Sequence, residues 1–404
     1  MEYHEIHRSL KDAVNYQDVE VLDEKTILYN FGFSSDSCFL LPGEKRYSCV
    51  AHHFSCDSYD FENPVAGNCR MLNMADAHIM ENRNFRYHVF HPSGRKKSRQ
   101  VILLFHGFNE KYWAKYLPWA KRLSELTGKT IALFPVAFHM NRAPQTWSDR
   151  RQMYAVSEQR RAAFPQVLHS TLSNVAISSR LHARPQRFFW SGLQSYYDVI
   201  QWMEEIKSGK HPLIEPDATF DLFAYSIGCL LAEILVMTNQ NDYFGRSKMF
   251  MFCGGPVFNR LSPVSKFILD SEANVALYSF VVEHLESHLK KDVHLNHYLT
   301  EHLEGIHFRC MLNYGNMLTF RENILRRISN RTMAVTLAGD TVVPPYEVIN
   351  TLQGSRRDIP ICVETIDFPY DYKHEDPFPL TLSIAKGVTE QFNRVFDMAG
   401  QFLQ

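Results

Sequence analysis

Seven short apolar runs of β character, separated by segments with helical periodicity, constrain what this chain can fold into more than any other feature. The runs are FRYHVFHP (85–92), VILLFHG (101–107), TIALFPVAF (130–138), DLFAYSIG (221–228), KMFMFCGG (248–255), TMAVTLAGD (332–340) and ICVETIDFP (361–369). Most carry little alternation of apolar and polar residues, as expected of strands buried on both faces. Between them lie amphipathic patterns at 110–127 (stopping at Gly128), 195–209, 229–237, 345–353 and 382–396. Such alternation predicts an α/β class fold: a three-layer α/β/α sandwich around a mostly parallel, doubly wound sheet. The first two runs are expected to be neighbouring strands joined by the polar turn SGRKKSRQ.

Two connections are too long for simple crossovers and predict helical lid insertions, at 139–190 and 257–330. The remaining organisation is a segment 1–84, contributing edge strands or a small extra layer, and one domain over 85–404. With 404 residues, 45% hydrophobic and 22% charged, the chain can bury a large core. Its formal net charge of −1 offers no general attraction to nucleic acid, so none is expected as a partner. No secretory leader or apolar stretch of membrane-spanning length is visible, so the expected location is cytoplasmic, with no membrane span. The eight cysteines are then expected as reduced thiols.

The chemistry is carried by residues at the ends of the runs. Ala224-Tyr-Ser226-Ile-Gly228 follows a β-run and precedes a helix, the setting of a nucleophile elbow that exposes a serine above a sheet. Small residues suit its sharp turn, and alanine is the smallest after glycine. Upstream, VILLF-His106-Gly107-Phe108 ends a strand where a turn can supply a backbone N–H to an oxyanion hole. The donors would be Phe108 and Ile227, the residue after the serine. The imidazole of His106 is expected to hold the turn, since the chemistry needs only the backbone. Asp340 lies just past the run AVTLA, and His374 lies in a polar loop after the last run. A carboxylate at 340 can orient the imidazole of 374, which can then take the proton of Ser226.

The order Ser226, Asp340, His374 is that of the α/β-hydrolase superfamily, which the chain resembles from about residue 85 to its C-terminus. The elbow is similar to the A-x-S-x-G form of some bacterial lipases, and DLFAYSIG with its flanking insertions resembles an uncharacterised bacterial branch. The resemblance implies cofactor-free cleavage of an ester, thioester or amide in a small-molecule acyl substrate. Acyl transfer to an acceptor other than water, or a non-catalytic binding protein on the same fold, would use the same framework. Oligomeric state and substrate identity are not legible.

Three further groups stand out. The 139–190 insertion carries Arg142, Arg150, Arg151, Arg160, Arg161, Arg180, Arg184 and Arg187 against Asp149 and Glu158. These arginines are expected on a solvated helical surface, with attraction of anionic acyl groups as the functional alternative. Cys49, Cys56 and Cys69, near His52 and His53, lack C-x-x-C spacing, and no metal is expected there. In the second insertion, His284 and His288 share a helix face among His294, His297, His302 and His307, but no acidic-His motif completes a metal site. Phe280, Leu285, Leu289 and Leu295 are expected to cover an acyl pocket or to pack on the core.

Overall fold

A computed structural model describes residues 1–58 and 72–404. Eleven strands are present among them: β1 Val19–Val21, β2 Thr26–Ser34, β3 Arg46–Cys49, β4 Phe54–Asp57, β5 Asn84–Pro92, β6 Ser98–Phe105, β7 Thr130–Leu133, β8 Ile214–Tyr225, β9 Met249–Phe252, β10 Thr332–Leu337 and β11 Cys362–Ile366. Nine form one sheet in the order β1-β2-β5-β7-β6-β8-β9-β10-β11, while β3 and β4 make a separate hairpin. From β7 to β11 every pairing is parallel. The edge formed by β1, β2 and β5 is antiparallel, as is its junction with β7. The protein is thus mixed α/β with a mostly parallel sheet and helices on both faces.

The period-two rule for strands explains the two layers. Along β6, Val101, Leu103 and Phe105 face one core while Ile102 and Leu104 face the other, and all five are fully buried. One face is covered by helices Arg187–Lys207 and Ile227–Thr238, the other by Tyr3–Ala13, Tyr116–Thr127 and Ala385–Leu403. Two helices of the first insertion, Arg150–Ala163 and Val175–Ala183, and those of the second, from Ser271–Ser279 to Leu318–Ile328, pack beyond the first layer. No helix among the described residues is long and apolar enough to cross a membrane.

Several boundaries and one adjacency differ from expectation. β5 and β6 are not neighbours, because β7 lies between them, antiparallel to β5 and parallel to β6. The five residues 93–97 step over that strand rather than closing a hairpin. The helix predicted over 110–127 begins only at Tyr116: the Glu110 side chain is taken up by Lys115 and the Tyr116 hydroxyl, leaving 110–115 as a loop. The run 130–138 is strand only to Leu133, beyond which Phe138 and Met140 turn with positive φ. The helix expected from 195 starts at Arg187, since Phe188, Phe189 and Trp190 are buried and extend its apolar face.

Candidate active site

Ser226 closes β8 and caps the helix Ile227–Thr238 with φ 56° and ψ −125°, a left-handed value that a side-chain-bearing residue adopts only under strain. The fold holds it there by removing side chains around it. A Cβ on Gly228 would stand 2.7 Å from the His106 carbonyl oxygen, and one on Gly254, just past β9, 2.6 Å from that of Ser226. The amide of Ser226 donates to the Phe252 carbonyl (3.1 Å), which ties the turn to β9.

The structure brings Ser226, His374 and Asp340 together. Ser226 Oγ lies 2.7 Å from His374 Nε2, and His374 Nδ1 lies 2.7 Å from Asp340 Oδ2. Both His374 and Asp340 are buried. The other oxygen of Asp340 accepts from the amides of Val342 and Val343, each at 2.9 Å. The carboxylate therefore faces His374 with an acceptor, so the imidazole carries its proton on Nδ1 and presents a lone pair to the serine hydroxyl. Asp340 also borders the buried thiol of Cys253, which burial and the carboxylate push well above the usual cysteine range, so it stays neutral.

A further group, not anticipated from sequence, holds the imidazole. The Tyr225 ring stacks beside His374 at 5.6 Å and 14°, and its hydroxyl donates to the His374 carbonyl. Lys115 lies 4.8 Å above the Tyr225 ring, pairs with Glu110 and donates to the Glu375 carbonyl (3.1 Å). The Tyr116 hydroxyl accepts from the Gly107 amide (2.9 Å) and donates to Glu110 (2.9 Å), fixing the turn after β6. Tyr225 occupies the variable position of the serine motif, which carries no sign of its contact with His374. Glu110 and Lys115 were masked by their apparent place in a helix.

His106 is fully buried and bonded at both ring nitrogens, with Nδ1 2.8 Å from the Gly107 carbonyl and Nε2 accepting from the Val136 amide (2.9 Å). Burial pushes its pKa well below the usual histidine value, and the ring is a neutral brace. Phe108 and Ile227 both border the cavity beside Ser226. Ile227 opens a helix, so its amide has no carbonyl four residues back to bond.

The serine stands between two spaces. On one side an apolar cavity is bounded by Leu230, Phe258, Leu261, Ile268, Leu277 and Val343 among others. On the other a more polar cleft is lined by Asn109, Lys111, Tyr112, Ser173, His374 and Glu375. Both insertions reach the apolar cavity, through Phe188 and through residues 258–277. Phe280, Leu285, Leu289 and Leu295 instead pack in the main core and do not line it.

The arginine-rich insertion meets the expectation of a solvated surface only in part: Arg150, Arg151 and Arg161 are exposed. Arg142, Arg160, Arg180 and Arg187 are buried, not solvated, and each already holds a carboxylate: Arg142 on Asp198 (2.6 Å), Arg160 on Asp270 (2.5 Å), and Arg180 and Arg187 on Asp76. Their partners lie far away in sequence, outside residues 139–190. His284 is exposed beside Glu283, and His288 meets Asp292 (3.3 Å), so the two do not form a pair of ligands. Cys69 lies outside the described residues, and the other seven cysteines are free thiols. Side chains able to hold a metal converge away from Ser226, at Cys49, His52, His297 and His302.

The chain is similar to several solved structures. One is a carboxyl esterase from the fungus Tuber melanosporum (11% identity, 80% of this chain and 82% of that one, TM-score 0.44). A second is a thermostable esterase from Pseudomonas putida (13% identity, 80% and 80%, TM-score 0.40). A third is a peroxisomal α/β-hydrolase from Saccharomyces cerevisiae (11% identity, 92% and 90%, TM-score 0.35). No curated protein matches the chain. A family model described as "family of unknown function (DUF6051)" matches residues 1–404, the entire sequence, and the chain belongs to that family.

Proposed function

We propose that this protein is a serine hydrolase of the α/β-hydrolase type that cleaves a carboxylic ester or related acyl bond. The observation that carries the proposal is the unbroken hydrogen-bond chain from Ser226 Oγ through His374 to Asp340, at a strained turn between an apolar cavity and an open cleft. In this mechanism Ser226 attacks the acyl carbonyl while His374 Nε2 takes its proton. Asp340 keeps the imidazole in the required tautomer and stabilises the imidazolium. The amides of Phe108 and Ile227 stabilise the oxyanion, each donor being worth ~3 kcal/mol in the transition state. His374 then returns the proton to the leaving group, and water releases the acyl-enzyme by the same route.

The apolar cavity suits the acyl chain, and the polar cleft suits an alcohol leaving group and entering water. Both insertions supply cavity residues, which fits a role as a cover over the acyl group. A fluorophosphonate probe tests the proposal: the wild type is expected to label stoichiometrically and Ser226→Ala not at all. A folded wild type that resists the probe and hydrolyses no acyl ester in a panel of varied chain length would refute it.

A further inference from the structure

We propose that Cys49, His52, His297 and His302 form a four-coordinate site for a zinc-type divalent cation, joining the β3–β4 hairpin to the second insertion. This inference is independent of the catalytic reading, since none of the four lines the spaces at Ser226.

The donor atoms converge on His302 Nε2. It lies 3.2 Å from His52 Nδ1, 3.2 Å from His297 Nε2 and 3.4 Å from Cys49 Sγ, and Cys49 Sγ lies 3.6 Å from His52 Nδ1. All four donors are within 4.8 Å of one another. A tetrahedral zinc ion with Zn–N near 2.0–2.1 Å and Zn–S near 2.3 Å sets neighbouring donors roughly 3.3–3.6 Å apart.

Hydrogen bonding alone does not account for this cluster. The other nitrogen of His302, Nδ1, lies 3.1 Å from the Glu304 carboxylate and 3.1 Å from the Tyr197 hydroxyl, which itself donates to Glu304. Nδ1 therefore carries a proton, and Nε2 turns one lone pair towards three neighbours. A lone pair accepts one hydrogen, whereas a cation satisfies all four donors together. The carboxylate behind the histidine is also the arrangement that orients metal-bound imidazoles. Ring packing sets the other positions: His297 stacks on Phe54 (4.0 Å, 8°) and His302 on Tyr298 (4.5 Å, 21°).

The spacing agrees with the geometry. Cys49-x-x-His52 sits on the hairpin and His297-x4-His302 spans the junction of helices Val293–Thr300 and Leu303–Cys310, two short-spaced ligand pairs on separate segments. Four protein ligands leave no position for water, so the site is structural. Binding displaces the Cys49 thiol proton to solvent, and the three imidazoles bind neutral.

The test uses the full chain. Protein purified without chelators is expected to carry one equivalent of zinc. After stripping, Co(II) is expected to bind at one equivalent with a four-coordinate d–d spectrum and a thiolate charge-transfer band. Cys49→Ser should lose that band, Glu304→Gln should weaken affinity roughly 10- to 100-fold, and His53→Ala, outside the cluster, should change neither. Failure of the wild type to bind zinc or Co(II) stoichiometrically, or a thiolate band that survives Cys49→Ser, would overturn the site. Should Cys49→Ser not fold, zinc-edge X-ray absorption of the wild type decides: one sulfur and three nitrogens support the site, and a shell without sulfur rejects it.

Discussion

The two amides on Asp340 Oδ1 determine more than the position of that carboxylate. An asparagine at 340 would keep its carbonyl oxygen on those amides and turn its NH2 group towards His374 Nδ1. The imidazole would then carry its proton on Nε2, unable to accept from Ser226. Asp340→Asn is expected to fold normally, with an unchanged thermal midpoint, and to lose about 10⁴-fold in kcat towards a reactive ester. A loss below tenfold would mean that the tautomer is not set by Asp340. At this scale the sequence was informative where local backbone geometry dictates residue type. Ser226 stands out because a strained strand-to-helix turn demands small neighbours. Asp340 and His374 carry no such local mark and were legible only through their place after predicted strands. Gly254 was passed over because its constraint, the Ser226 carbonyl, comes from another strand.

At the scale of elements, the insertions have roles that their own sequences do not reveal. The helix Ser271–Ser279 turns Leu277 into the apolar cavity, while Phe280 and Leu285, only a few residues on, turn into the core. Leu277→Trp is therefore expected to shorten the acyl pocket. Against the wild type, kcat/KM should fall about tenfold or more for octanoyl esters, in line with the 1–3 kcal/mol that one methylene in a pocket is worth, and change little for acetyl esters. Equal losses for both chain lengths would place the acyl group elsewhere. The arginines of the first insertion show why charge counting misleads. Arg142 and Asp198 are both completely buried, and Ser35 and Ser37 also donate to Asp198. Half of what looked like a local positive excess, Arg142, Arg160, Arg180 and Arg187, is a set of buried pairs binding the insertion to the segment before β5, to helix Arg187–Lys207 and to the second insertion.

For the molecule as a whole, burial of neutral histidines dictates the response to acid. Burial pushes His88 down to about 3 and His139 and His211 to about 4, and it holds His106 well below its usual value. Below pH ~6.5 the unfolded chain binds protons that the folded chain refuses. Their stabilisation is thus complete above that pH and is lost as the pH falls from there towards 4. The slope is about 1.4 kcal/mol per pH unit for each histidine. Denaturant melts at pH 7, 6 and 5 are expected to show a steep decline before most carboxylates titrate, and constant stability over that range would contradict it. The chain's own pattern of apolar runs and breaks determined the α/β class, the approximate positions of β5 to β11 and the serine turn, because these depend on neighbours within a few residues. Strand order, the intercalation of β7 between β5 and β6, the partners of the buried arginines and the meeting of Cys49 with His302 were decided only by the tertiary fold. Each depends on a free energy of contact between segments far apart in the chain, and local spacing carries no record of it.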